Sequence, residues 1–159
     1  MNYSDLSHEL TKKISKQEKK ENGIYFTPPN TIERNLKLIE PYINNIKTVL
    51  EPSCGSGEYI QSLNKMFKKA KITGIEYNKT IYDSIRPMSS GRVSIINQDY
   101  LTYEAGTKYD LIIGNPPYFV MKKECIEKKY HPYFDGRPNI FILFIIKSLG
   151  MLSENGLLS

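Results

Sequence analysis

The chain has 159 residues, 40% hydrophobic and 25% charged, an ordinary globular composition that excludes wholesale disorder. Its longest strongly apolar run, residues 140–146, is far shorter than the roughly 20 residues of a membrane span. The polar start of the chain lacks the apolar core of a secretory signal, and two cysteines are too few for a disulfide framework. We therefore expect a cytoplasmic protein with no membrane partner; the net charge of +5 permits nucleic acid as a partner, although an AT-rich genome would give the same excess of lysine.

The first 22 residues are polar, with apolar side chains at every fourth position near their start. This spacing predicts that residues 1–22 form a polar N-terminal helix ahead of a domain spanning residues 23–159. The domain opens on the sequence Tyr-Phe-Thr-Pro-Pro at residues 25–29. Thr27 is predicted to cap a second helix that begins at Pro28, because Thr is a favoured N-cap and Pro is favoured at the first helical position.

Short apolar strands alternate with amphipathic helices along the rest of the chain. This alternation predicts an α/β fold, a doubly wound and mostly parallel sheet with helices on both faces. We expect the first strand to lie between the fourth and the second, with the ligand-binding loops at the carboxyl ends of the strands. A fifth strand begins at Leu157 and stops at Ser159, so we expect the domain to be incomplete at its C-terminus and the chain to be part of a longer protein. The first four strands are predicted at residues 48–51, 71–76, 93–96 and 109–113.

The loop that follows the first strand combines glycines with an acid. Gly55 and Gly57 let a ligand approach the backbone closely, but the third glycine of a dinucleotide fingerprint and the lysine of a P-loop are absent. Glu51 would repel a pyrophosphate and attract an ammonium or sulfonium group. Glu76 ends the second strand, where an acid accepts hydrogen bonds from ribose hydroxyls. A ribose joined to a cationic amino-acid group without phosphate describes S-adenosyl-L-methionine, which we predict as the cofactor.

A second motif, Asn115-Pro116-Pro117-Tyr118, follows the fourth strand. Neither proline can donate a hydrogen bond to a sheet, so the Asn115 side chain and the Pro116 carbonyl remain as two rigidly held acceptors. Both can bind one –NH2 group. Two acceptors on its hydrogens favour a pyramidal nitrogen and aim its lone pair at an electrophile, while Tyr118 offers a flat face for a planar substrate.

These motifs resemble those of the adenine-N6 DNA methyltransferases of restriction–modification systems, over roughly residues 22–159. The resemblance is closest to the gamma-type motif order, in which the cofactor motifs precede the catalytic motif, because no long insert separates Asp99 from Asn115. It implies a Rossmann-like methyltransferase fold and direct methyl transfer to an adenine flipped out of DNA. It also implies a DNA-recognition domain, and a restriction partner subunit or domain, outside this chain. Glu58 stands where many members of that family have a third glycine.

The resemblance further implies a role for each matching residue. Residues 25–29 would pack on the methionine end of the cofactor, Glu76 would hold its ribose and Asp99 would bind its adenine amino group. The predicted catalytic residues are Asn115, Pro116, Pro117 and Tyr118. The predicted cofactor-binding residues are Tyr25, Thr27, Pro28, Glu51, Ser53, Gly55, Gly57, Glu76, Asp99 and Tyr100.

Three other functions stay open from the sequence alone. A glutamine-N5 protein methyltransferase uses the same Asn-Pro-Pro-Tyr motif to hold an amide –NH2, but usually carries a helical domain where this chain has residues 25–29. An RNA base methyltransferase is the second alternative, and a cofactor-binding module without activity of its own is the third. We predict no metal site, because His8 and His131 have no ligand partners at a useful spacing.

Overall fold

A computed structural model describes residues 3–159, and within them five parallel strands form one sheet. The strand order is β3-β2-β1-β4-β5, so the first strand lies between the second and the fourth, as predicted. All four strand pairs are parallel, which brings every carboxyl end to one edge of the sheet. The strands are β1 (Thr48–Glu51), β2 (Lys71–Glu76), β3 (Val93–Asn97), β4 (Tyr109–Ile112) and β5 (Leu152–Leu158).

Helices cover both faces of the sheet. Successive side chains of a strand point to opposite faces, so Val49 belongs to one core cluster and Leu50 to the other. None of the helices in residues 3–159 has the length and apolar character needed to cross a membrane. The α-helices of this part of the chain are α1 (Asp5–Lys13), α2 (Lys16–Glu21), α3 (Pro29–Ile39), α4 (Glu58–Met66), α5 (Lys79–Ile85) and α6 (Ile140–Met151).

The N-terminal segment forms two short helices where the sequence analysis predicted one; residues 1 and 2 lie outside the described part. The break falls at Ser15, whose hydroxyl accepts the backbone N–H of Glu18 at 3.0 Å and so caps α2. Leu10 and Ile14 are both buried in the core cluster that also contains Val49 of β1 and Ile72 of β2. The four-residue spacing therefore identified the buried side of the segment, while the division of the chain at residue 22 stays a prediction.

Helix α3 begins one residue later than predicted. Pro28 is the N-cap and Pro29 the first helical residue, so the prediction of Thr27 as the cap is wrong. Proline supplies no capping oxygen from its side chain, but a proline at the first position costs little because its missing N–H is one that the helix cannot satisfy internally. The hydroxyl of Thr27 is consequently available to another partner, which lies in the candidate site.

The last strand is longer than the sequence analysis predicted. It begins at Leu152, which pairs with Tyr109, and it resumes at Leu157, which pairs with Leu111. The register shift between these pairs accommodates the polar residues 153–156, which separate the two apolar ends of the strand. The neighbouring strand β4 ends at Ile112 rather than at residue 113.

Glu58, the first residue of α4, attaches the N-terminal helix to the glycine loop. Its Oε1 accepts hydrogen bonds from the Ser4 backbone N–H at 3.1 Å, the Ser4 hydroxyl at 2.7 Å and the Ser7 hydroxyl at 2.5 Å. Ser4 is also the N-cap of α1. Glu58 therefore has a structural role, because it anchors α1 beside the glycine loop. Many members of the family that the sequence resembles have glycine at this position.

We expect Glu58→Ala to lower the free energy of unfolding by about 1–3 kcal/mol, the range for hydrogen bonds to a charged group. The matched control is Glu9→Ala, which removes an exposed glutamate from α1 itself. Urea denaturation measures both variants, and amide hydrogen exchange in α1 should accelerate only for Glu58→Ala. Equal losses in the two variants would contradict the anchoring role.

Candidate active site

The loops at the carboxyl edge of the sheet surround a cavity of about 260 Å³. This volume lies just below the roughly 300–1,000 Å³ of typical small-molecule sites. Its walls come from the loops after β1, β2, β3 and β4 and from residues 22–26, a segment we call the strap. Eight of the fourteen predicted site residues line the cavity, namely Tyr25, Ser53, Gly55, Glu76, Asp99, Tyr100, Asn115 and Pro117.

Six predicted site residues do not line this cavity. Gly57 has a φ of +78°, and a Cβ there would approach the Met88 sulfur at 2.6 Å, so its glycine serves the packing of the helix start. Tyr118 lies half exposed, and Thr27 lines a much smaller pocket beside the cavity. The remaining three are Pro28, Glu51 and Pro116.

Glu76 joins the loops after β1 and β2. Its Oε2 accepts the backbone N–H of Gly55 at 2.9 Å, and its Oε1 accepts that of Asn78 at 2.7 Å. Burial raises the pKa of Glu76 to about 7, although these N–H donors oppose the rise. Each carboxylate oxygen can accept more than one hydrogen bond, so the side chain keeps accepting capacity on the cavity wall.

Glu51 lies behind the cavity wall. The side chain is fully buried, Oε1 accepts the Ser53 N–H at 3.3 Å, and Oε2 has no hydrogen-bond partner among the described residues. Burial, followed by the negative charge of Glu76, raises the pKa of Glu51 to about 8 despite hydrogen bonds from Cys54 and Ser53. At neutral pH the carboxyl of the free protein is therefore largely protonated. The attraction of Glu51 for the cationic group of a cofactor stays a prediction.

Gly114 explains how this acid fits into the interior. A Cβ at residue 114 would lie 2.8 Å from Oε1 of Glu51, closer than side chains pack, so only glycine leaves room. Cys54, the neighbour of Glu51 in the loop, is also buried, and burial raises the pKa of its thiol well above the usual value. The thiol therefore packs as a small apolar group and is a poor nucleophile.

The raised pKa of Glu51 predicts a loss of stability at high pH. Because the folded protein holds this proton up to about pH 8 and the unfolded chain releases it near the ordinary pKa of 4.5, the free energy of unfolding should fall as the pH rises between these values. Glu51→Gln should reduce that fall, since the amide stays neutral. Urea denaturation at about pH 5 and about pH 9 measures the difference.

The exposed Glu104 provides the control for this experiment. Glu104→Gln should leave the pH dependence of unfolding as in the wild type. A Glu51→Gln protein that loses as much stability at high pH as the wild type would show that another group binds the proton.

The Asn-Pro-Pro-Tyr loop is held by side chains from three directions. The Asn115 amide nitrogen donates to Oγ1 of Thr27 at 3.2 Å, and the Tyr118 hydroxyl donates to the Asn115 amide oxygen at 2.8 Å. The Ser53 hydroxyl donates to the Asn115 backbone carbonyl at 3.1 Å. The Tyr118 ring stacks on Phe141 of α6, with centroids 5.3 Å apart and planes 24° apart. These contacts fix the loop between the glycine loop, Thr27 directly after the strap, and α6.

The sequence analysis missed the apolar wall of the cavity. After Asn-Pro-Pro-Tyr, Val120 forms an antiparallel bridge with Asn139. The Met121 N–H donates to the Pro138 carbonyl at 2.7 Å and the Ile140 N–H to the Phe119 carbonyl at 3.0 Å. This bridge brings the start of α6 to the cavity. The apolar lining residues on this side are Phe119, Met121, Ile140 and Phe144.

Two signals in the sequence pointed toward this wall without identifying it. Residues 140–152 are apolar nearly all round, which indicates a buried helix but not which of its sides faces a ligand. Tyr77 directly follows Glu76 and also lines the cavity, although 69% of its surface is exposed. Neither signal identifies the individual side chains that line the cavity.

The model of the Eco57I restriction-modification methylase family matches residues 8–159. The chain belongs to this family. It is 34% identical to the Type II methyltransferase M.CvrRI of Paramecium bursaria Chlorella virus XZ-6E over 99% of its own length and 40% of that protein. The predicted membership among restriction–modification methyltransferases is thereby confirmed, and the chain spans about two fifths of the length of this relative.

Two further comparisons bear on fold and chemistry. A Listeria monocytogenes protein described as a class I S-adenosylmethionine-dependent methyltransferase superposes with a TM-score of 0.72 at 16% identity, over 96% of this chain and 49% of that one. This likeness confirms the predicted Rossmann-like methyltransferase fold. A tRNA1(Val) (adenine(37)-N6)-methyltransferase of Glaesserella parasuis serovar 5 is 26% identical over 48% of this chain and 34% of its own.

Proposed function

We propose that the full-length protein transfers the methyl group of S-adenosylmethionine to the N6 amino group of adenine in DNA. The observation that carries the proposal is the position of Asn115, whose amide is held at the cavity wall beside the exposed Tyr118 ring. Membership of a restriction-modification methylase family supports DNA as the substrate. The similarity to a tRNA adenine-N6 methyltransferase supports this atom as the methyl acceptor.

The residues of the cavity fit S-adenosylmethionine. Glu76 offers lone pairs beyond those used by Gly55 and Asn78, as two ribose hydroxyls require. Asp99 uses Oδ1 to accept the Leu101 N–H at 2.9 Å, and its second oxygen is suited to an adenine amino group. The apolar wall suits the adenine ring, and the cofactor would supply a methyl group activated by a sulfonium.

The substrate base would bind where the catalytic loop meets the cavity. A paired adenine must leave the DNA helix before its amino group can reach an enclosed site. Its N6 would then donate hydrogen bonds to Oδ1 of Asn115 and to the Pro116 carbonyl, while its ring stacks on Tyr118. These acceptors draw the nitrogen lone pair out of conjugation with the ring and aim it at the methyl group.

The methyl transfer needs no covalent intermediate on the enzyme, because its atoms and electrons balance in a single step. The N6–CH3 bond would form as the S–CH3 bond breaks, with the bonding electrons left on a neutral thioether, and the proton lost from N6 would pass to solvent. No protein nucleophile is needed, which agrees with the unreactive surroundings of Cys54. The chain's own contribution is to bind, to orient and to polarise the amine.

Cofactor binding should depend on Glu76 and on pH. Glu76→Gln should weaken S-adenosylhomocysteine binding by about 1–3 kcal/mol, because the neutral amide replaces a charged acceptor. In the wild type, affinity should fall as the pH drops below about 7, where Glu76 becomes protonated; the variant should lack this dependence. Isothermal titration calorimetry measures both, with the exposed Glu104→Gln as control. Unchanged affinity in Glu76→Gln would remove Glu76 from the site, whereas binding of NADH in preference to S-adenosylmethionine would refute the cofactor assignment.

Methyl transfer should depend on Asn115 and Tyr118. Asn115→Ala should slow the reaction about 100- to 1,000-fold, as for the loss of one preorganised hydrogen-bonding group. Tyr118→Ala should weaken capture of the base by about 1–3 kcal/mol, the value of one stacking contact. Transfer of a tritiated methyl group to DNA, followed by nucleoside analysis, gives the product. Tyr42→Ala, which removes an exposed tyrosine outside the cavity, is the control.

An RNA adenine is the second candidate substrate, favoured by the similarity to the tRNA enzyme. The same assay with tRNA in place of DNA separates the two. Label on tRNA with DNA untouched would move the assignment to the RNA enzymes, and label on a protein glutamine would move it to the protein methyltransferases.

A further inference from the structure

The Asn115 amide has two chemically different ends, and only one can assist the proposed reaction. The oxygen accepts a hydrogen bond from a substrate –NH2, whereas the amide nitrogen carries two hydrogens and would repel one. When the substrate occupies Oδ1, the –NH2 end of Asn115 must therefore find an acceptor elsewhere. A polar group left without a partner in a partly buried site costs free energy.

Thr27 supplies that acceptor. Its Oγ1 lies 3.2 Å from Nδ2 of Asn115, on the side away from the Tyr118 hydroxyl. Thr27 lines only the small pocket that it shares with Asn115, Ser53 and Tyr59, and it is absent from the wall of the main cavity. Its hydroxyl is not used as a helix cap, because Pro28 holds that position. The described contacts of the Thr27 side chain therefore point to Asn115 and not to the cofactor cavity.

We propose that Thr27 is a positioning residue for the methyl transfer, which holds the Asn115 amide by accepting from its nitrogen and so presents the oxygen to the substrate amine. This proposal rests on the proposed function and replaces the predicted role of Thr27 as a cofactor ligand. In the free protein the Tyr118 hydroxyl occupies Oδ1. The substrate amine displaces that hydroxyl, while the Thr27 contact stays in place through the reaction.

The proposal also joins the strap to the catalytic loop. Tyr25 and Phe26 line the cavity at the end of the strap, and Thr27 is the next residue along the chain. Gly23 brings the start of the strap against the same loop, since a Cβ there would lie 2.9 Å from the Tyr118 backbone nitrogen. The strap lines the cavity, and Thr27 directly after it holds the Asn115 amide, whose oxygen accepts the substrate amine.

The test compares Thr27→Val, which keeps the shape but cannot accept a hydrogen bond, with Thr27→Ser, which can. In the full-length protein, Thr27→Val should lower kcat about tenfold, the effect of one lost hydrogen bond, with an unchanged Kd for S-adenosylhomocysteine. Thr27→Ser should restore kcat. Thr31→Val, an exposed threonine in the first turn of α3, should match the wild type. A weakened Kd with normal kcat would overturn the proposal and return Thr27 to the cofactor site.

A second measurement does not require methyl transfer. In asparagine-labelled protein, the side-chain amide resonances that vanish in Asn115→Ala identify the Asn115 –NH2 group. They should shift in Thr27→Val and keep their position in Thr31→Val. Unshifted resonances in Thr27→Val would overturn the contact, whichever substrate the enzyme uses. If the wild-type protein fails to methylate adenine and the resonances still shift in Thr27→Val, the proposed function is refuted but the contact is established.

Discussion

One buried carboxylate determines the geometry of the cavity. Glu76, at the end of β2, accepts one backbone N–H from the glycine loop after β1 and another from the residue that caps α5. A carboxyl group this far from water is stable in its charged form only with such donors. Neither loop can move away without leaving the acid unpartnered, so the two loops keep a fixed separation. The cavity between them is consequently shaped before a ligand binds.

The architecture followed from the sequence because its signals are local and redundant. Each of the first four strands is a short apolar run flanked by polar residues, and alternation with helices leaves a parallel arrangement as the consistent solution. Element boundaries were less accessible, as at Ser15, where a capping hydroxyl divides one apolar periodicity into two helices. The length of β5 was also not predictable, because the polar residues in its middle are accommodated by a register shift with β4, and no sequence pattern indicates such a shift.

Site residues were predictable from the sequence where a reactive residue type stands at the end of a strand or in the loop after it. They were not predictable where the direction of the side chain determines whether it reaches the cavity. Glu76 ends β2, Asn115 lies in the loop directly after β4, and both line the cavity. Glu51 also ends a strand, but the pleat of the strand directs its side chain into the interior, where the absence of a side chain on Gly114 leaves room for it. Thr27 has the residue type of a helix cap, and a shift of the helix start by one residue gives its hydroxyl to Asn115 instead. Apolar lining residues carry no distinctive chemistry, so only the fold assigns them.

The bridge between Val120 and Asn139 bears on how related enzymes can diverge. The chain leaves the cavity wall at Met121 and returns at Pro138, and hydrogen bonds at the base close this excursion. Insertions or deletions between these points leave Phe119 and Ile140 in register, because loop closure entropy grows only slowly with loop length. The lysine- and tyrosine-rich segment beside the Asn-Pro-Pro-Tyr loop can thus change in length and sequence, and so in what it contacts, while the cavity keeps its dimensions.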